Sequence, residues 1–177
     1  MHHHNLESPA EAIVPYQLPF PVDAIPEIVL PDIAGEDERL WVPQTESVWL
    51  RPLCLSVSGG YWVNLLRVRK SGVLSRHRHP GPVHAYVLKG RWKYLEHSWT
   101  AETGSYAFEP PGETHTLVVP PDVEEMITLF HVTGGMVYVD PHGNQTGYED
   151  VFTKVEACRR HYEKVGLGAD HVRHFIR

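Results

Sequence analysis

Gly72-Val-Leu-Ser-Arg-His77-Arg-His79-Pro-Gly-Pro-Val-His84-Ala-Tyr-Val-Leu-Lys-Gly90 is followed, after a short interval, by Gly104-Ser-Tyr-Ala-Phe-Glu109-Pro-Pro-Gly112-Glu-Thr-His115. Side chains two apart on a strand share a face, so His77 and His79 can aim both imidazoles into one cavity. In the second stretch a Pro-Pro-Gly turn precedes His115, which then enters a strand. A barrel wall can bring that third imidazole opposite the first two.

The residues around these stretches read as short β-strands. Segments 47–55, 61–68, 85–88, 92–95, 105–108, 116–119, 126–131 and 136–139 carry β-branched and aromatic residues. Turn formers part them, among them Ser58-Gly59-Gly60, Pro80-Gly81-Pro82 and Gly134-Gly135. Many short strands at this spacing predict an all-β sandwich or barrel rather than a parallel α/β sheet.

Both ends of the chain differ from this middle. Residues 1–45 hold Pro9, Pro15, Pro19, Pro21, Pro26 and Pro31, which exclude a long helix and predict a tail and an extended arm packing on the barrel. The barrel itself is expected over 46–145, and a helical segment of the same domain over 146–177. There Val151, Val155, Cys158, Tyr162 and Val165 recur at helical steps, Thr146-x-x-Glu149 reads as a capping box, and Gly166 as the C-terminal cap.

Composition narrows the function. A chain of 177 residues suits one domain. A formal net charge of −6 argues against a nucleic-acid-coating role, because affinity for phosphate backbones comes from lysine and arginine. No apolar run reaches the roughly 20 residues of a membrane-spanning helix. The start, Met1-His2-His3-His4-Asn5, lacks the apolar stretch of a secretory signal, so a cytoplasmic location with reduced Cys54 and Cys158 is expected. His2–His4 reads as a tag remnant or loose tail. Of the remaining histidines, His97, His131, His142, His161, His171 and His174 read as hydrogen-bonded core or surface residues.

The two opening stretches resemble the paired motifs of the cupin superfamily: glycine, H-x-H, an acidic residue and a closing glycine, then G-x5-P-x-G-x2-H. The second motif matches from Gly104 through Pro110 and Gly112 to His115, and the first at His77, His79 and Gly90. The resemblance covers about residues 60–120 and implies a small antiparallel barrel, or jelly roll, holding one metal on His77, His79 and His115. The acidic position of the first motif falls on Val83 or His84, neither a carboxylate, so His84 is open as a fourth ligand. The body is also similar to the small cupins of the 2,4'-dihydroxyacetophenone dioxygenase family, on the runs His77–Gly90 and Phe108–His115, the proline-rich arm and the length. That resemblance implies an Fe(II) enzyme that cleaves an aromatic α-hydroxyketone with O2 into 4-hydroxybenzoate and formate.

Other groups follow from strand parity. Alternation along Trp92-Lys-Tyr94-Leu-Glu96 puts Tyr94 and Glu96 on the face of Trp92. If that face points inward, Glu96 enters the barrel as a metal ligand or proton acceptor, and Tyr94, with Trp62 as the weaker option, faces the substrate ring. Glu109 is the rival carboxylate, unless it pairs with Arg91. A small aromatic ketone and O2 are the expected partners, and a homodimer or homotetramer the expected assembly. Two further readings stay open: a non-catalytic zinc-binding sensor like the cupin domains of anti-sigma factors, whose H-R-H-P-G run this chain shares, and another cupin enzyme such as a β-diketone-cleaving oxygenase.

Overall fold

Every second residue of one central strand is buried: Val83, Ala85 and Val87 point into the molecule, while His84 and Tyr86 face outward. The same alternation, repeated along neighbouring strands, closes two sheets on one apolar interior. The computed structural model describes residues 13–177. The His2–His4 run and the first part of the arm lie outside them.

In chain order the strands are β1 Val42–Thr45, β2 Val48–Ser56, β3 Tyr61–Val68, β4 Gly72–Arg78, β5 Val83–Lys89 and β6 Arg91–Tyr94. They continue as β7 Ala101–Glu102, β8 Tyr106–Glu109, β9 Thr114–Val119, β10 Met126–Thr133, β11 Met136–Val139 and β12 Gln145–Glu149, before a helix, α1, at Val151–Lys164. Among the described residues two six-stranded sheets form, ordered β1-β2-β3-β10-β5-β8 and β12-β11-β4-β9-β6-β7. The strand pairs are antiparallel. The mostly-β cupin architecture with a C-terminal helix is therefore as expected. Strands β1, β4, β7 and β12 lie outside the predicted segments.

The interior is filled by Leu50, Leu55, Trp62, Val68, Trp92, Tyr94 and Met126, each at most 1 % exposed. The chain crosses from the first sheet to the second at Gly90, between β5 and β6. Its φ is +74°, and a Cβ there would stand 2.5 Å from the carbonyl oxygen of Glu125. Only glycine fits both the left-handed backbone and that approach, which explains the closing glycine of the first motif.

Helix α1 buries Val151, Lys154, Val155, Cys158 and Tyr162 against the barrel. The predicted stripe is present, but its cap is not Thr146-x-x-Glu149. Those residues continue β12, and the cap is Asp150, whose side chain accepts from the Thr153 N–H while the Thr153 hydroxyl accepts from the Asp150 N–H. The far end agrees with expectation: Gly166, with φ +80°, follows the last turn. Of the arm, Leu30 and Ile33 pack on the core, whereas Ile13, Tyr16, Phe20 and Val22 are 68–99 % exposed.

Candidate metal centre

His77 on β4 and His115 on β9 are direct partners across the antiparallel ladder. Cross-strand partners put their side chains on one face, so this register alone joins the two motifs. His79 follows the end of β4, and its carbonyl accepts a 2.8 Å hydrogen bond from the N–H of Gly112. The Pro110-Pro111-Gly112 turn thus clamps the backbone of the other motif. At Gly112 φ is +95°, which that turn requires and a side chain would resist.

All three imidazoles are buried, and their candidate donor atoms lie within 4.8 Å of one another. The Nε2 atoms of His77 and His115 stand 3.2 Å apart. Two nitrogens about 2.1 Å from a common ion are separated by roughly 3–3.4 Å, so the residues fit a metal. Ser75 Oγ lies 2.9 Å from His77 Nδ1 and orients that ring, leaving Nε2 for the ion. Burial, reinforced by the neighbouring imidazoles, pushes His77 well below the usual histidine range. Burial is also the main cause at His115, which drops to about 4. Both rings are neutral at pH 7, the form that binds a metal.

Glu109 is the carboxylate that stands beside the imidazoles. It is the ladder partner of Val83, the position where that motif expects an acid. Among the described residues its Oε2 is buried without a hydrogen-bond partner, 3.3 Å from His79 Nε2 and 3.6 Å from His115 Nε2. Its Oε1 accepts a 2.7 Å hydrogen bond from the Tyr94 hydroxyl. Tyr94 in turn lies flat on His115, ring centroids 3.7 Å apart and planes 6° from parallel. Burial, with Glu109 beside it, pushes the Tyr94 phenol well up, so it stays a donor.

The other predicted groups lie elsewhere. Strand β6 ends at Tyr94, so alternation does not carry through to Glu96. That residue is exposed at the rim, where it accepts 2.7 Å hydrogen bonds from the Thr116 N–H and hydroxyl. Partial burial opposes its ionisation, but the Thr116 bonds prevail and hold the carboxyl below its usual range. His84 is outside the site, on the outer face of its sheet, stacked on His131 and 2.7 Å from the Tyr106 hydroxyl. Arg91 pairs with Asp122 rather than with Glu109.

A cavity of about 340 Å³ opens beside the histidines. His77, His79 and Tyr94 form part of its wall, with Leu50, Trp62 and Phe130 among the apolar residues opposite. Lys154, Glu149 and Gln44 also line it. None of these three was read from the sequence as a site residue, Glu149 having been assigned to a capping box. A signal existed for Lys154: it falls three after Val151 and four before Cys158, on the apolar side of the stripe.

Comparison with known proteins agrees with this architecture. Residues 32–137 match the family described as the ChrR cupin-like domain, and the chain belongs to that family. An RmlC-like cupin protein from Ralstonia eutropha JMP134 is 26 % identical, with a TM-score of 0.68 over 71 % of this chain and 83 % of that one. A second Ralstonia eutropha JMP134 protein with a cupin-like fold is 22 % identical, with a TM-score of 0.68 over 79 % and 91 %. An acetylacetone dioxygenase from Acinetobacter johnsonii shares the fold at 18 % identity, with a TM-score of 0.65 over 81 % of this chain and 97 % of that one. No curated protein matches the chain. Among the described residues no helix is long and apolar enough to cross a membrane.

Proposed function

We propose that this cupin is a non-haem Fe(II) dioxygenase that cleaves the C–C bond of an aromatic α-hydroxyketone, taking 2,4'-dihydroxyacetophenone and O2 to 4-hydroxybenzoate and formate. The observation that carries the reading is a triad of buried imidazoles with His77 and His79 on the wall of a largely apolar cavity. A structural zinc site is closed by four protein ligands, whereas a catalytic ion keeps a side open to reactants. Ligand type alone does not select iron from other divalent metals. The similarity to dihydroxyacetophenone-cleaving cupins favours iron, and the fold shared with a dioxygenase is in keeping with it.

Iron, when bound, would supply the open positions at which the ketone and hydroxyl oxygens of the substrate and O2 meet. The chain's own part follows from its residues. Leu50, Trp62 and Phe130 exclude water and hold an aromatic ring. Glu109 Oε2, an acceptor with no donor among the described residues, takes the proton released from the substrate hydroxyl. Tyr94 holds that carboxylate by its other oxygen and packs His115 in place. The bond between the carbonyl and hydroxymethyl carbons breaks, and both atoms of O2 enter the products. A homodimer or homotetramer goes with this reading, supported by the exposed apolar side chains of the arm.

Oxygen consumption by ferrous-loaded protein, with product analysis, tests the activity. Uptake with 2,4'-dihydroxyacetophenone and release of one 4-hydroxybenzoate and one formate per O2 is expected. Turnover of acetylacetone alone would replace this reading by β-diketone cleavage, and tight zinc with no turnover by a sensor. His77→Ala, His79→Ala and His115→Ala should each lose iron and turnover, while His161→Ala, whose ring nitrogen lies 3.0 Å from the Arg39 carbonyl oxygen, should keep both. Full iron in His115→Ala would exclude this centre.

A further inference from the structure

The cavity has a second polar pole. Lys154, 6 % exposed, places Nζ 2.7 Å from Glu149 Oε2 and 3.3 Å from Gln44 Oε1, and 5.6 Å from the ring centre of Trp62. Two of its three N–H donors are thereby used. Glu149 Oε2 also accepts 2.7 Å from the Tyr138 hydroxyl, while Glu149 Oε1 has no partner among the described residues. Tyr138 bridges the poles: its ring centre lies 6.2 Å from that of His77, and its hydroxyl reaches Glu149. Burying the Lys154 ammonium, on a side chain 8 % exposed against 23 % for that of Glu149, is costly, and replacing a buried pair by apolar residues is often neutral or stabilising. Structure alone therefore does not account for its place on an apolar wall. Asn64, 5 % exposed, adds a further polar side chain to the same wall.

We propose that Lys154 and Glu149 anchor a hydroxyl carried by the substrate's ring at the end remote from the ketone, and so select hydroxylated aryl ketones over unsubstituted ones. This rests on the aryl-ketone reading above. The free Lys154 N–H and the free Glu149 oxygen form a donor beside an acceptor, which a hydroxyl satisfies in both directions. A carboxylate would meet the Glu149 charge, and a methoxy group could accept but not donate. Size agrees: a cavity of about 150 Å³ takes up benzene, and this one is about 340 Å³, which leaves room for a substituted ring reaching both poles. Leaving a buried polar site unpaired is what makes such sites reject the analogue that lacks the group.

The test is equilibrium binding to full-length, ferrous-loaded protein without O2, read by tryptophan fluorescence, since Trp62 lines the cavity. The ligands are 2,4'-dihydroxyacetophenone, 2-hydroxyacetophenone and 2-hydroxy-4'-methoxyacetophenone. The unaltered protein should bind the first about tenfold to a hundredfold more tightly than the other two, the worth of one hydrogen bond to a charged group. Lys154→Met and Glu149→Gln should each bring the ratio to within about threefold. A purely structural Lys154 would lower the melting temperature and leave the ratio unchanged, which overturns the proposal. Equal binding of all three ketones to the unaltered protein overturns the anchor and leaves the aryl-ketone reading standing, and that comparison needs no variant. Binding of none of them removes the aryl-ketone reading and the anchor with it.

Discussion

At the scale of single residues, the histidine cluster was legible, and the carboxylate beside it only as a rival to Glu96. His77, His79 and His115 stand in two local patterns, and local patterns survive without knowledge of strand pairing. Glu109 reaches the site because β8 pairs with β5 and sets it opposite Val83, a long-range register that spacing along the chain does not contain. Glu96 failed for a related reason: alternation predicts a face only while the strand lasts, and β6 stops at Tyr94. The reading that places proton transfer on Glu109 makes a specific demand. Glu109→Gln keeps the size and the Tyr94 contact but loses basicity, so turnover should fall by about 10²–10⁴-fold while iron content stays near that of the unaltered protein. Steady-state oxygen uptake with parallel metal analysis checks it, and unchanged kcat would remove Glu109 from the reaction.

At the scale of elements, strong periodicity was readable and short edges were not. The stripe from Val151 to Tyr162 announces α1, and its lysine belongs to the buried side. Strand β1 escaped because it is a four-residue edge with Pro43 inside it, a residue tolerated at sheet edges but otherwise a mark against a strand. The start of α1 was placed too early because Thr146 and Glu149 fit a capping pattern, yet both belong to β12, where Glu149 pairs with Met136 of β11. Asp150 carries the cap instead. Asp150→Ala should therefore lower stability by about 1 kcal/mol, read as an earlier urea midpoint with an unchanged slope, whereas Thr146→Ala should leave the midpoint within error.

Across the whole molecule, helix and barrel share one core, and a buried thiol reports on their union. Cys158 is fully buried against the barrel, and that burial pushes its pKa from 9.0 up to about 12. In the window between those values the unfolded chain releases this proton and the native one retains it. The stability linked to Cys158 is complete below about pH 9 and is lost as pH rises toward 12, by up to about 1.4 kcal/mol per pH unit. Urea midpoints at pH 8, 9 and 10 should fall more steeply for the unaltered protein than for Cys158→Ala, and parallel curves would show that the helix does not bury this thiol.

The flat stacking of Tyr94 on His115 has a spectroscopic consequence. A phenol ring lying parallel over an imidazole shields the protons beneath it, so the carbon-bound protons of His115 resonate upfield of those of the chain's other histidines. The position and width of that resonance give a label-free record of ion occupancy, since a paramagnetic ferrous ion would broaden it and a diamagnetic zinc ion only displace it.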